Sequence, residues 1–128
     1  MKNITVLDTN VILRYLLNDH PQHFQLAQAF MEDVISGKTT AYIPDSVLAE
    51  CVYVLLKVYK VPKQQVCESL IGILSYAGIS PINCNILVDS LKLFAEHNVD
   101  IVDAIVHATA KQNDWDLLSF DQDMKKFS

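Results

Sequence analysis

The apolar residues of this chain fall into short β-branched runs that alternate with longer stretches whose apolar positions recur every three or four residues. Runs of the first kind read as buried strands, and stretches of the second kind as amphipathic helices. Asn3 to Leu7 forms the first strand, and Asn10 to Leu17 continues as a helix capped by Asp8 or Thr9. Asn18, Asp19 and Pro21 mark a loop. Beyond it Phe24, Ala27, Phe30, Met31 and Val34 place a helix over Gln22 to Ser36, with Gly37 as its C-terminal cap. Thr40 to Ile43 is a second strand, Pro44-Asp45-Ser46 opens a helix reaching about Tyr59, and Pro62 opens another that stops at Gly78. Ile79 to Ile82 reads as a third strand and Ile86 to His97 as a helix. Asp100 caps a helix running to Asn113, and Leu117 to Phe120 is a fourth strand.

Short apolar strands separated by helices imply parallel strands covered on both faces. The expected fold class is therefore α/β, a three-layer α/β/α sandwich around a central parallel sheet. With 128 residues, 51% of them hydrophobic, the chain can bury one core, and residues 1–128 are read as one domain. Only Met1 and Lys2 precede the first apolar run, and no uncharged apolar stretch approaches the ~20 residues that a membrane span requires. Secretion and membrane insertion are not expected. Cys51, Cys67 and Cys84 lie far apart, without CxxC spacing or a nearby histidine pair, which suggests neither disulfides nor a zinc site and fits a cytoplasmic protein.

A net charge of -5 with a single arginine, Arg14, argues against a broad basic surface for nucleic acid. A nucleic-acid substrate stays compatible with this charge where bound cations supply the positive charge. The acids carry the chemical interest. Asp8 follows the first strand and Asp121 the fourth, at the strand ends where open parallel sheets place their ligands. Glu50 and Asp103 lie on the two most apolar helices, each on a narrow polar seam: Ser46, Glu50, Tyr53, Lys57 and Lys60 on one, Asp100, Asp103, His107 and Lys111 on the other. Taken singly, each has an ordinary explanation, as a helix cap for Asp8, solvated seam residues for Glu50 and Asp103, and a turn acid for Asp121. Taken together they would repel. Two carboxylates ~4 Å apart at an effective dielectric near 20 cost about 4 kcal/mol, which calls for a neutralising hard cation held by oxygen ligands.

Spacing does not by itself bring these four acids together. The stretches VLDTNVILRYLL, SVLAECVYVL, VDAIVHATA and LLSFDQDM do so by resemblance, for in this order they resemble the PIN-domain nucleases, in particular the VapC-type toxins of bacterial toxin–antitoxin pairs. The resemblance implies strand order 3-2-1-4 with a short or absent fifth edge strand, since the chain stops at Phe127-Ser128. It makes Asp8, Glu50, Asp103 and Asp121 the catalytic acids that bind Mg²⁺ or Mn²⁺, with Asp123 as an alternative fourth ligand. Asn10 and Ser119 become supporting polar residues that orient a carboxylate or a water. Arg14 and Lys57, with Lys60, are candidates for phosphates flanking the scissile bond, and equally read as solubilising surface charges. His107, one turn from Asp103, reads as a seam histidine, and Asp100 as a helix cap.

The activity so implied is metal-dependent hydrolysis of single-stranded RNA, leaving a 5′-phosphate and a 3′-hydroxyl, by a toxin held in check by a small cognate antitoxin. Two readings compete with it. One is a non-catalytic PIN-fold module that binds RNA or protein; the other is an aspartate-nucleophile phosphatase, which would place a second aspartate where this chain has Asn10. The apolar stretches Phe24 to Val34 and Val47 to Val58 leave room for a partner surface or a homodimer, although core packing accounts for most of them.

Overall fold

The computed structural model describes residues 3–121. Strand β1 (Ile4–Val6) pairs in parallel with β2 (Thr40–Tyr42), Ile4 opposite Thr40 and Val6 opposite Tyr42. The crossover between them holds two helices, α1 (Thr9–Leu17) and α2 (Pro21–Ile35), as a parallel connection requires. Four more helices follow: α3 (Asp45–Tyr53), α4 (Lys63–Leu74), α5 (Cys84–Glu96) and α6 (Ile101–Asn113). Between α3 and α4 the helix widens into a π-helical turn over Val54–Val58, closed by the Tyr59 amide donating to the Val54 carbonyl at 3.1 Å.

Local chemistry sets the ends of these elements. Asp8 takes an extended backbone at the start of α1, and its Oδ1 accepts the Thr9 amide at 2.6 Å. Asn18 closes the same helix in the left-handed region at φ 51°, where asparagine is tolerated. Gly37, at φ 81°, plays the corresponding part after α2. Asp100 caps α6 by accepting the Val102 amide at 2.9 Å.

Ile12, Met31, Leu48, Leu87, Leu91 and Ile101 are among the fully buried side chains, and they belong to one continuous core. Helix α1 packs on α2, α5 packs on both α4 and α6, and α3 touches α1 on one side and α6 on the other. That central position of α3 governs the geometry of the acids.

The sheet is smaller than the pattern predicts. Where a third strand was expected over Ile79 to Ile82, one parallel bridge forms between Ala41 and Ile79. The Ala41 amide donates to the Gly78 carbonyl at 2.8 Å, and the Ser80 amide to the Ala41 carbonyl at 2.7 Å. These bonds lie on the edge of β2 opposite the one that serves β1, because Tyr42, the next residue, gives its carbonyl to the Leu7 amide. The groups that would form the next rung are engaged elsewhere: the Ile82 amide donates to the Ser80 hydroxyl at 3.4 Å, and the Ile43 carbonyl accepts the Asn83 side-chain amide at 2.9 Å.

The fourth strand expected over Leu117 to Phe120 is not formed. Leu118 is 84% and Phe120 93% exposed, and the Ser119 hydroxyl accepts the Asp121 amide at 3.0 Å. A local bond of this kind offers the backbone an alternative to a sheet ladder. Strand β1, read from the sequence as buried, is consequently exposed along its three residues, with a partner on one edge only among the described residues. What the structure establishes of the expected class is a mostly helical α/β fold with a parallel sheet of two strands.

Candidate active site

Asp8 leaves the end of β1 and is held by its own capping bond to Thr9, with its side chain open to solvent. Glu50 is an exposed residue in the middle of α3. Its neighbour Cys51 is fully buried, and its thiol is pushed up to about 12, by burial first and then by the negative charges of Glu50 and Asp8. Two acids that are 42 positions apart in sequence thus act on one sulfur, because α1 and α3 are packed together.

One turn further along α3 stands Tyr53. Its Oη donates to Asp100 Oδ1 at 2.6 Å, and the same oxygen accepts the Val102 amide. The phenol is raised to about 12, chiefly by that bond to Asp100, then by desolvation and by the charges of Asp100 and Asp103. Asp103 occupies the first turn of α6, half-buried, where the helix dipole favours a negative charge. The single turn Glu50–Tyr53 therefore senses Asp8 from the side of α1 and Asp103 from the side of α6. Neither Asp8 nor Glu50 forms an ion pair with a described residue; the ion pair of the described region joins Arg14 to Asp19.

Asp121 and Ser119 lie on the exposed segment that follows α6, and Ser119 is bonded to the Asp121 amide rather than to another acid. Asp123, the alternative fourth ligand, lies outside the described residues. Among the described residues, no three His, Cys, Asp or Glu side chains stand together closely enough to hold a metal ion. The donor set still suits a hard cation, since all its members are carboxylate oxygens and Mg²⁺ is commonly held by one or two carboxylates plus water and substrate phosphates.

The remaining expected residues fall as follows. Asn10 and Arg14 line a groove of about 400 Å³ whose other walls include Val6, Val11, Leu26 and Phe30. Arg14 is engaged: Nη1 meets Asp19 Oδ1 at 2.8 Å and Nη2 reaches the Tyr59 hydroxyl at 3.4 Å, while that hydroxyl donates to Asp19 Oδ2 at 3.1 Å. Lys57 is exposed on the π-helical turn. Lys60 follows the turn in the left-handed region at φ 56°, so regular helical spacing does not extend to it from Glu50. The His107 imidazole has a lowered pKa, first through burial and then through Lys111 and His97.

The sequence gives Tyr53 no role beyond its place on the Glu50 seam, and Asp100 none beyond helix cap and member of the Asp103 seam. A shared offset was the available signal: Tyr53 follows Glu50 by three residues as Asp103 follows Asp100.

Residues 5–128 match the PIN domain model, and the chain belongs to the PIN domain family. PIN domains are generally nucleases and typically use divalent metal ions. No curated protein matches the chain. No helix among the described residues is long and apolar enough to cross a membrane.

Proposed function

We propose that this protein is a divalent-metal-dependent endoribonuclease acting on single-stranded RNA, and that it serves as the VapC-type toxin of a toxin–antitoxin pair in the cytoplasm. The observation that carries the reading is that, in a chain of the PIN family, the helix bearing Glu50 packs between α1, which Asp8 caps, and α6, which bears Asp103. Asp8, Glu50 and Asp103, with Asp121 or Asp123, are the residues that would hold Mg²⁺ or Mn²⁺. When bound, such an ion lowers the pKa of water and stabilises charge on the phosphoryl oxygens. The protein's part is to orient and to exclude alternatives. Asp8 is fixed by its capping bond, Asp103 by the first turn of α6, and Asn10 stands one residue beyond the α1 N-terminus to hold a carboxylate or a water. Lys57, an exposed cation on the π-helical turn, is the proposed contact for a flanking phosphate.

In the same reading the sheet takes strand order 3-2-1-4 within a three-layer sandwich, with Leu117–Phe120 laid along β1. Bare apolar surface on both partners supports this, Val6 being 63% exposed and Phe120 93%. A small antitoxin is the proposed partner, and a homodimer the proposed assembly. A non-catalytic module is the competing reading.

Cleavage of single-stranded RNA by purified protein in Mn²⁺, and in EDTA, tests the proposal beside Asp8→Asn and Asp103→Asn. The expected result is Mn²⁺-dependent cleavage that falls at least ~100-fold in both variants, since even the outer partners of metal ligands are worth about 10- to 100-fold. Retained RNA binding without cleavage would favour the module. Metal-independent cleavage that survives both substitutions would contradict the assignment.

A further inference from the structure

We propose that Tyr53 is a positioning residue, whose hydroxyl ties the capping carboxylate of α6 to α3 and so fixes the spacing between Glu50 and Asp103. The inference rests on the nuclease reading above. Tyr53 lies one helical turn after Glu50, and Asp100 one turn before Asp103, so the bond between them joins the two helices a single turn from each acid. The bond is short at 2.6 Å, and its acceptor oxygen is itself fixed by the Val102 amide at 2.9 Å. Tyr53 thus grips the feature that starts α6 rather than a mobile side chain.

The helix changes character at the same place. Directly after Tyr53, α3 passes into the π-helical turn. An insertion of this kind lets a helix present residues on either side of it in different directions. Here Tyr53 on the near side points toward α6, while Tyr59, just beyond the turn, bonds Asp19 after α1. The two tyrosines brace α3 against the two helices that carry Asp103 and Asp8. The Tyr53 bond is the brace next to the acids, and Tyr59 lies farther along.

The test compares Tyr53→Phe, Asp100→Asn and wild type by calorimetric titration with Mn²⁺ alone, by kcat and KM on single-stranded RNA, and by melting temperature. Phenylalanine removes only the hydroxyl. Asparagine at 100 keeps an oxygen able to accept from both Tyr53 and Val102, so it serves as the conservative rescue. The expected result is that Tyr53→Phe weakens Mn²⁺ binding and lowers kcat by about tenfold, the lower range for partners that orient metal ligands, with KM unchanged and melting within a few degrees of wild type. Asp100→Asn is expected to stay close to wild type in all three. A Tyr53→Phe protein that binds Mn²⁺ as wild type does overturns the proposal alone, as does a loss that merely follows melting. A wild-type protein that takes up no Mn²⁺ overturns it together with the nuclease reading.

Discussion

Cys51 reports on the candidate site without belonging to its chemistry. Its thiol is buried and sits between the charges of Glu50 and Asp8, so each influence on it favours the protonated form. The sign for stability follows. A group whose pKa rises from 9.0 to about 12 on folding stabilises the native state below pH 9 and loses that contribution as the pH climbs toward 12. Iodoacetamide at pH 8 should therefore leave Cys51 unmodified in the folded protein and alkylate it once denaturant is added, as peptide mass mapping would show. Rapid modification of the native thiol would mean that the α1–α3 contact is looser than described. The sequence pointed to Asp8 by its place after the first strand and to Glu50 and Asp103 by the polar seams of two apolar helices, while their being read as one set came from family resemblance rather than from spacing. The Tyr53–Asp100 bond was not legible there, because the shared three-residue offset places each residue beside an acid on its own helix without saying that the two helices meet there.

At the level of elements, helices were read more faithfully than strands. The α-helices of the described residues fall within about four residues of their expected bounds, except that the helix expected to reach about Tyr59 is α-helical only to Tyr53; each shows an apolar face, and Asp8, Asn18, Gly37 and Asp100 mark the ends of three of them. The π-helical turn escaped notice because Val54, Leu55, Leu56 and Val58 are apolar all round and carry no phase to betray an inserted residue. Strands three and four were each read from four residues, and in both a serine hydroxyl takes up a nearby amide: Ser80 accepts from Ile82 just past the single bridge, and Ser119 accepts from Asp121.

Gly78 is the close contact at the entrance to the third strand. A Cβ there would lie 2.1 Å from the Thr39 carbonyl oxygen and 2.7 Å from that of Val34, and both obstacles are backbone. The Gly78 amide also donates to the Val34 carbonyl at 2.7 Å. Gly78→Ala should destabilise the fold by about 3 kcal/mol, at the upper end of typical overpacking penalties. A urea midpoint equal to that of wild type would show that this junction can move.

At the scale of the described residues as a whole, one core joins six α-helices and a two-stranded sheet, and α3 packs against both α1 and α6. The Leu117–Phe120 segment and strand β1 are among the places where this arrangement leaves large apolar side chains exposed. In the proposed four-stranded form, the amides of Leu118 and Phe120 should exchange slowly with deuterium, as sheet amides do. Exchange at the rate of an unstructured peptide would leave β1 without that partner.

The central claim is that acids from α1, α3 and α6 act as one site. Calorimetric titration of Mn²⁺ into wild type, Asp8→Asn, Glu50→Gln and Asp103→Asn measures this directly. Binding by the wild type that each single substitution weakens at least ~10-fold, with melting temperatures preserved, is the predicted result. Equal Mn²⁺ binding by all four proteins would contradict the claim.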